Sequence, residues 1–368
     1  MMMNDTLLSK TISFLRFPLI VGVVFIHSNI LFVNIQGSVE RYDRWPFVTF
    51  IINLFSSVFA DICVPLFFFI SGFLFFYTSN FTKEVYVNKI KRRIRTLLVP
   101  YVIWNFVAFI ILLIQVHPKV VRFFPLLKNY RVDIVSFLSS FWVTNLPISM
   151  SGPVNPINTP LWFIRDLMVL IIVSPLVWWL VKKLKFGIIV LLGLIWFFSL
   201  GERIGFPGLC HQSLFFFPLG AYFGVYQLNF VDMIVKCRKS SYVPMAYFFI
   251  AVLDSILKAE PYNYIIHNVG IIIGMFSAVY LTSLLLKRDK IHVNTHLIGA
   301  SFFVYVLHNL FLGKLTKVIV MYCRPESPFI VLLIYFFMPI FAIVLCTNVY
   351  LFIRRIFPNF CSIIVGNR

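Results

Sequence analysis

Long apolar runs, each about the length of a bilayer crossing and separated by short basic segments, limit what this chain can fold into. A helix that crosses hydrocarbon needs about 20 mostly apolar residues, because its backbone must satisfy its own hydrogen bonds there. Windows of this kind fall at residues 11–33, 47–78, 97–115, 160–181, 186–200, 209–226, 242–257, 262–286, 296–319 and 329–353. They predict an all-α integral membrane protein with about ten transmembrane helices. The windows 186–200 and 242–257 are short for a crossing, and 47–78 is long enough to tilt or to break near Asp61-Ile62-Cys63-Val64-Pro65.

Composition excludes a soluble fold. The chain is 60% apolar and 12% charged, whereas a soluble domain carries about a quarter of its residues charged. No segment outside the windows is long and polar enough to fold alone, so residues 1–368 read as a single membrane domain. The first run, Ile12 to Val33, is too long for a signal-peptide core and has no small-residue cleavage site, so it is expected to stay as the first span. No inverted repeat of the transporter kind is visible.

The basic residues orient the chain. Loops that would lie inside carry 19 Lys and Arg, and those that would lie outside carry 9, which predicts cytoplasmic N- and C-termini. The net charge of +19 would suit a nucleic acid only if it gathered on a soluble face, and here it is spread between apolar runs, so no nucleic-acid partner is expected. Cys63, Cys210, Cys237, Cys323, Cys346 and Cys361 show neither redox nor metal spacing and read as apolar filler, with no metal site. The longest outer segment, 116–159, contains Arg131 to Leu138, which reads as a short interfacial helix. It also contains Asn145 to Pro160, an irregular stretch able to cover a site.

Charged and polar groups inside apolar spans are costly, and by default they mark function or a buried pairing. Arg16 and His27 lie 11 residues apart, about 16.5 Å of rise and only about 20° of rotation, so they share a face. A lone membrane histidine commonly bonds a neighbouring helix, but a coaxial arginine that can grip phosphate suggests chemistry for an imidazole that titrates near neutrality. Asp61 is expected in the outer half, where it would either fix the tautomer of His27 or pair with a basic residue such as Arg165. His308, midway along the ninth window, is expected at a depth near that of His27. Trp162, Arg165 and Asp166 open the fourth window as an aromatic surface beside charged donors, a combination that suits a sugar, although a bilayer anchor has the same look. Lys314 and Lys317 read as snorkelling side chains. Ser71-Gly72 lacks the elbow of a nucleophilic serine, and the glycine fits close helix packing. The cluster Lys89, Lys91, Arg92, Arg93, Arg95 serves topology and attraction to anionic membrane lipids, or docks a phosphorylated cytoplasmic donor. No Walker loop, zinc-protease or dinucleotide motif occurs.

Together these residues resemble the membrane acyltransferase family three, whose O-acetyltransferases modify bacterial surface sugars. The resemblance rests on five segments in order, and it spans nearly the full chain. They are Arg16 with His27; Asp61-Ile62-Cys63-Val64-Pro65 through Ser71-Gly72-Phe73-Leu74; the basic run Lys91 to Arg95 ahead of Pro100-Tyr101; Pro160-Leu161-Trp162-Phe163-Ile164; and Ser301 to His308 with Asn309. Phe303 stands where relatives often have tyrosine.

The resemblance implies a multi-pass protein of the bacterial cytoplasmic membrane. Its activity would be acyl transfer from cytoplasmic acetyl-CoA, or another acyl-CoA such as succinyl-CoA, to a hydroxyl of a glycan or lipid-linked sugar, with no tightly bound cofactor. It casts His27 as the essential histidine, and Arg16 with the inner cluster Arg92, Arg93 and Arg95 as donor-binding residues; the residues themselves make His27 the expected general base, with Asp61 and His308 as further catalytic residues. Trp162, Arg165 and Asp166 are expected to meet the acceptor. A homodimer or a separate extracytoplasmic partner remains open. The rival expectations are a secondary transporter or flippase for a sugar or lipid-linked substrate, and a non-catalytic scaffold.

Overall fold

The computed structural model describes residues 6–35, 38–77, 81–121, 127, 130, 132–144, 155–200 and 207–367. Asn145 to Val154, most of the irregular outer stretch, and Arg131 lie outside the described residues.

Among the described residues, six helical stretches are long and apolar enough to cross a membrane. They are α1 (Thr6–Ile26); Pro46–Tyr77, comprising α2 (Pro46–Leu54) and α3 (Cys63–Tyr77); and Lys83–Val116, comprising α4 (Lys83–Arg93) and α5 (Val99–Val116). Further along the chain, α13 (Asn263–Lys287), α14 (Thr295–Cys323) and α15 (Pro328–Ile356) complete the set. Their outward faces are apolar, as with Val102, Phe106, Ile110 and Leu113 on α5, a stripe that only lipid can cover without penalty.

Two expected spans are bent pairs. α7 (Trp162–Ile172) and α8 (Ser174–Leu184) meet at 64°. Pro175 has no N–H for the Ile171 carbonyl, and the Ser174 hydroxyl takes its place at 2.8 Å while Tyr86 donates to the Ile172 carbonyl at 2.8 Å. α10 (His211–Val225) and α11 (Phe230–Lys236) meet at 86° across a turn with Gln227 at φ 54°, and Asn229 caps α11 by accepting from the Asp232 N–H at 3.0 Å. The windows 186–200 and 242–257 become α9 (Phe186–Phe197) and α12 (Val243–Ile256), 12 and 14 residues long. By length and composition, the structure therefore supports six to eight of the ten expected crossings.

Between α1 and α2, strands β1 (Phe32–Ile35) and β2 (Ser38–Arg41) pair antiparallel, Phe32 opposite Arg41. In the outer segment, α6 covers Ile134–Ser140 rather than Arg131 to Leu138, because Asp133 sets its start with a capping box, accepting from the Ser136 N–H at 2.6 Å. That bond holds the Asp133 carboxyl below its usual range. Ile134, Val135 and Leu138 point outward from α6, an apolar face of the kind that lies in a bilayer surface.

The 47–78 window stays one helical span and changes its winding around Asp61. A π-helical turn at Phe55–Phe59 and a 3₁₀ turn at Ala60–Ile62 separate α2 from α3, and a second π turn, Ile94–Leu98, joins α4 to α5. Downstream of the first, α3 and α10 run parallel with their backbones in contact. Gly72 lies against the Phe217 carbonyl and Gly220 against the Phe69 carbonyl, leaving no room for a Cβ at either position. The C-terminal helix α16 (Pro358–Ile364) returns to α5, where Trp104 Nε1 donates to the Ile364 carbonyl at 2.9 Å.

Candidate active site

Five helical segments each turn one stripe toward a common groove of about 730 Å³. On α1 the stripe is Arg16, Leu19, Ile20, Val23 and His27, and on α14 it is Ile298, Ser301, Phe302 and Tyr305, spacings of three or four that stack on one helical face. Asp61 and α3 add Val64, Phe67 and Ser71; α7 adds Trp162, Phe163 and Leu167; α4 adds Lys89, Arg92 and Arg93. Arg16 and His27 thus share one wall.

At one end stand Arg16, Lys89, Arg92 and Arg93. Asp61, the only carboxylate among the described residues of the groove, lies toward the other end. An adjoining cavity of about 500 Å³ is lined by Lys91, Arg92, Arg95, Thr96 and Asn367 and shares Arg92, Thr96 and Asn367 with the groove. Like charges gathered at one end of a groove repel one another, so this end is suited to a polyanion. Asn367 reaches it because Gly366, at φ 73°, packs against Thr96; nothing in the local sequence signals that contact.

At the other end α1 stops at Ile26. The Ser28 hydroxyl donates back to the Val24 carbonyl at 2.7 Å, and the Ser28 N–H bonds the Phe25 carbonyl at 3.1 Å. His27 therefore sits in the final turn, half-buried and open to the groove. Ser56, in the first π turn, donates to the Phe25 carbonyl at 2.6 Å and meets the Tyr335 hydroxyl at 2.8 Å, fastening the turn to the end of α1. His308 is fully buried, with its ring centroid 5.4 Å from that of His27. Its Nδ1 lies 3.0 Å from the Val304 carbonyl, so that nitrogen carries the proton, and Nε2 has no partner among the described residues.

The ion partner of Asp61 is His267 Nε2 at 3.4 Å, neither His27 nor Arg165. His267 Nδ1 lies 2.7 Å from Asp254 Oδ2, Asn263 donates to Asp254 Oδ1 at 2.7 Å, and Lys258 donates to the Ser57 carbonyl at 3.0 Å. This network joins the irregular turn before α3 to the α12–α13 hairpin.

Trp162 lines the groove, but Arg165 and Asp166 do not. Both are buried and paired at 2.9 Å. Arg165 also donates to the Trp142 carbonyl at 2.7 Å, and Asp166 accepts from the Cys210 N–H at 3.0 Å. A buried guanidinium must fill its donors, and the adjacent carboxylate and the outer-segment carbonyl do so, which turns Arg165 away from the face of Trp162. Lys314 and Lys317 are exposed outside the groove.

Against known proteins, residues 10–348 match the acyltransferase domain of acyltransferase family three. The chain belongs to that family. It is similar to the succinoglycan biosynthesis protein ExoH of Rhizobium meliloti (strain 1021), 25% identical over 377 residues that cover 99% of this chain and 94% of the relative. No solved structure gives a significant match. With its apolar helices, membership makes the chain a multi-pass membrane acyltransferase.

Proposed function

We propose that the chain transfers an acyl group from cytoplasmic acyl-coenzyme A to a hydroxyl of a cell-surface glycan or its lipid-linked precursor, with acetyl as the default group and succinyl as the alternative. The observation that carries this reading is a single groove with Arg16, Lys89, Arg92 and Arg93 at one end and His27 at the other. The relative's role in succinoglycan biosynthesis supports a polysaccharide acceptor.

The donor's phosphates bind at the basic end, where Arg92 and Arg93 face the groove and Lys91 and Arg95 the adjoining cavity. Its flexible arm passes Arg16 and bridges the roughly 16.5 Å of helical rise to His27. There His27 takes the proton of the acceptor hydroxyl as its oxygen attacks the thioester carbonyl; the carbon–sulfur bond breaks, and the proton passes to the departing thiolate. Orienting His27 falls to His308 instead of Asp61. With Nδ1 committed to Val304, the free Nε2 of His308 can accept the His27 N–H, leaving the other His27 nitrogen as the base.

The test is coenzyme A release from acetyl-CoA and from succinyl-CoA by the purified chain in lipid nanodiscs, with a glycan acceptor panel and His27→Ala beside it. Release that disappears in the variant is the expected result. Failure to release coenzyme A from either donor would overturn the reading in favour of a transporter.

A further inference from the structure

Asp61 differs from the other carboxylates buried in this fold. Asp254 is 1% exposed and consumed by His267, Asn263 and Lys258, and Asp166 is 0% exposed and consumed by Arg165 and Cys210. The Asp61 side chain is 32% exposed, it opens into the groove, and one oxygen, Oδ2, faces His267. A purely structural ion pair in a membrane protein gains by closing itself off from water, whereas the other oxygen of this groove-lining carboxylate has no partner among the described residues.

The parallel contact of α3 and α10 shows what stands beside it. Gly220 packs between Phe69 and Phe73, and Gly224 between Phe73 and Tyr77. Eight residues back from Gly220, about 12 Å along each helix, Gln212 comes level with the start of α3, just past Asp61 in the chain. Gln212 and Trp162 line the same groove. A carboxylate and an amide that take several hydroxyls, beside an indole face that takes the C–H face of a ring, form the chemistry of a polyhydroxylated-ring site.

We infer that Asp61, Gln212 and Trp162 form the acceptor subsite, selecting a polyhydroxylated ring, and that His267 is a positioning residue that aims Asp61 into the groove. This rests on the acyltransferase reading above. His267 lies between two carboxylates, so its ring is fixed from the Asp254 side and fixes Asp61 in turn. The free Asp61 oxygen accepts a hydroxyl of the acceptor other than the one acylated.

The experiment compares methyl β-glucoside with cyclohexylmethanol, a ring alcohol with one hydroxyl, as acceptors for the full chain in nanodiscs supplied with acetyl-CoA. Wild type should prefer the glucoside. Asp61→Asn should lower kcat/KM for the glucoside about 10- to 100-fold more than for cyclohexylmethanol, the loss of one charge-assisted hydrogen bond. His267→Gln should do the same more weakly, and the double variant should be no worse than Asp61→Asn alone. Asp61→Asn leaves the His267–Asp254 pair intact and so keeps the test decisive if His267→Gln fails to fold. Equal wild-type use of the two acceptors, or variants that lose thermal stability with selectivity unchanged, would overturn the inference while the acyltransferase reading stands. Wild type that releases no coenzyme A with these acceptors or with the glycan panel would remove that reading and the inference with it.

Discussion

At one end of the groove Arg16, Lys89, Arg92 and Arg93 stand with no carboxylate among them, whereas near the other Asp61 is matched by His267, Asp254 by Lys258 and Asn263, and Arg165 by Asp166. The unmatched end spends stability to stay receptive, because only an incoming anion can neutralise it. The matched end spends its charges on holding shape, so that His27 and His308 meet at a fixed separation in a buried setting. One end is therefore expected to govern donor affinity, and the other rate and acceptor choice.

The sharpest break of that division is His27→Gln, which keeps a polar side chain and removes the base proposed above. It should lower kcat about 10²- to 10⁴-fold, with the KM for acetyl-CoA unchanged, in steady-state coenzyme A release. The shape-holding role of the matched end is tested by Asp166→Asn. Leaving Arg165 buried beside a neutral amide should cost about 3–5 kcal/mol, seen as a lower melting temperature in nanodiscs, with both KM values preserved in the protein that remains folded. Arg92→Ala combined with Arg93→Ala should raise the KM for acetyl-CoA about 10- to 100-fold and leave kcat nearly unchanged; a fall in kcat instead would erase the distinction between the ends. The smallest effect is acid loosening of the outer segment. Because the folded Asp133 carboxyl sits below its usual range, its cap on α6 is intact at neutral pH and lost as pH falls through that lowered value. Hydrogen exchange at the Ser136 amide should then quicken while Trp104, against the C-terminal helix, keeps its fluorescence.

Features carried by a single helix were legible in the sequence. The 11-residue spacing of Arg16 and His27 gives one face from helical geometry alone, and the polar interruption at Asp61 ahead of Pro65 marks the π and 3₁₀ turns. Contacts between distant segments were not. His267 and Asp254 lie on separate helices, and Asp61 reaches them from another part of the chain, so no periodicity ties them together. Gln212 looks like an ordinary first-turn residue until the contact of α3 with α10 sets it level with the start of α3. Arg165 misled for a physical reason: its helical position shares a face with Trp162, but its long side chain bends to the nearest acceptors, Asp166 and the Trp142 carbonyl.

The glycines of α3 and α10 also bear on how the groove opens. Two backbones that touch without intervening side chains can neither slide nor rotate past each other without collision, so the pair behaves as a fixed jaw carrying Ser71 on one helix and Gln212 on the other. Any widening to admit a polymer must come from the facing jaw, α1 and α14, or from α7, whose bend at Val173 supplies a hinge. A bulky acceptor is then accommodated from one side only, and it meets the same rigid surface whatever its length.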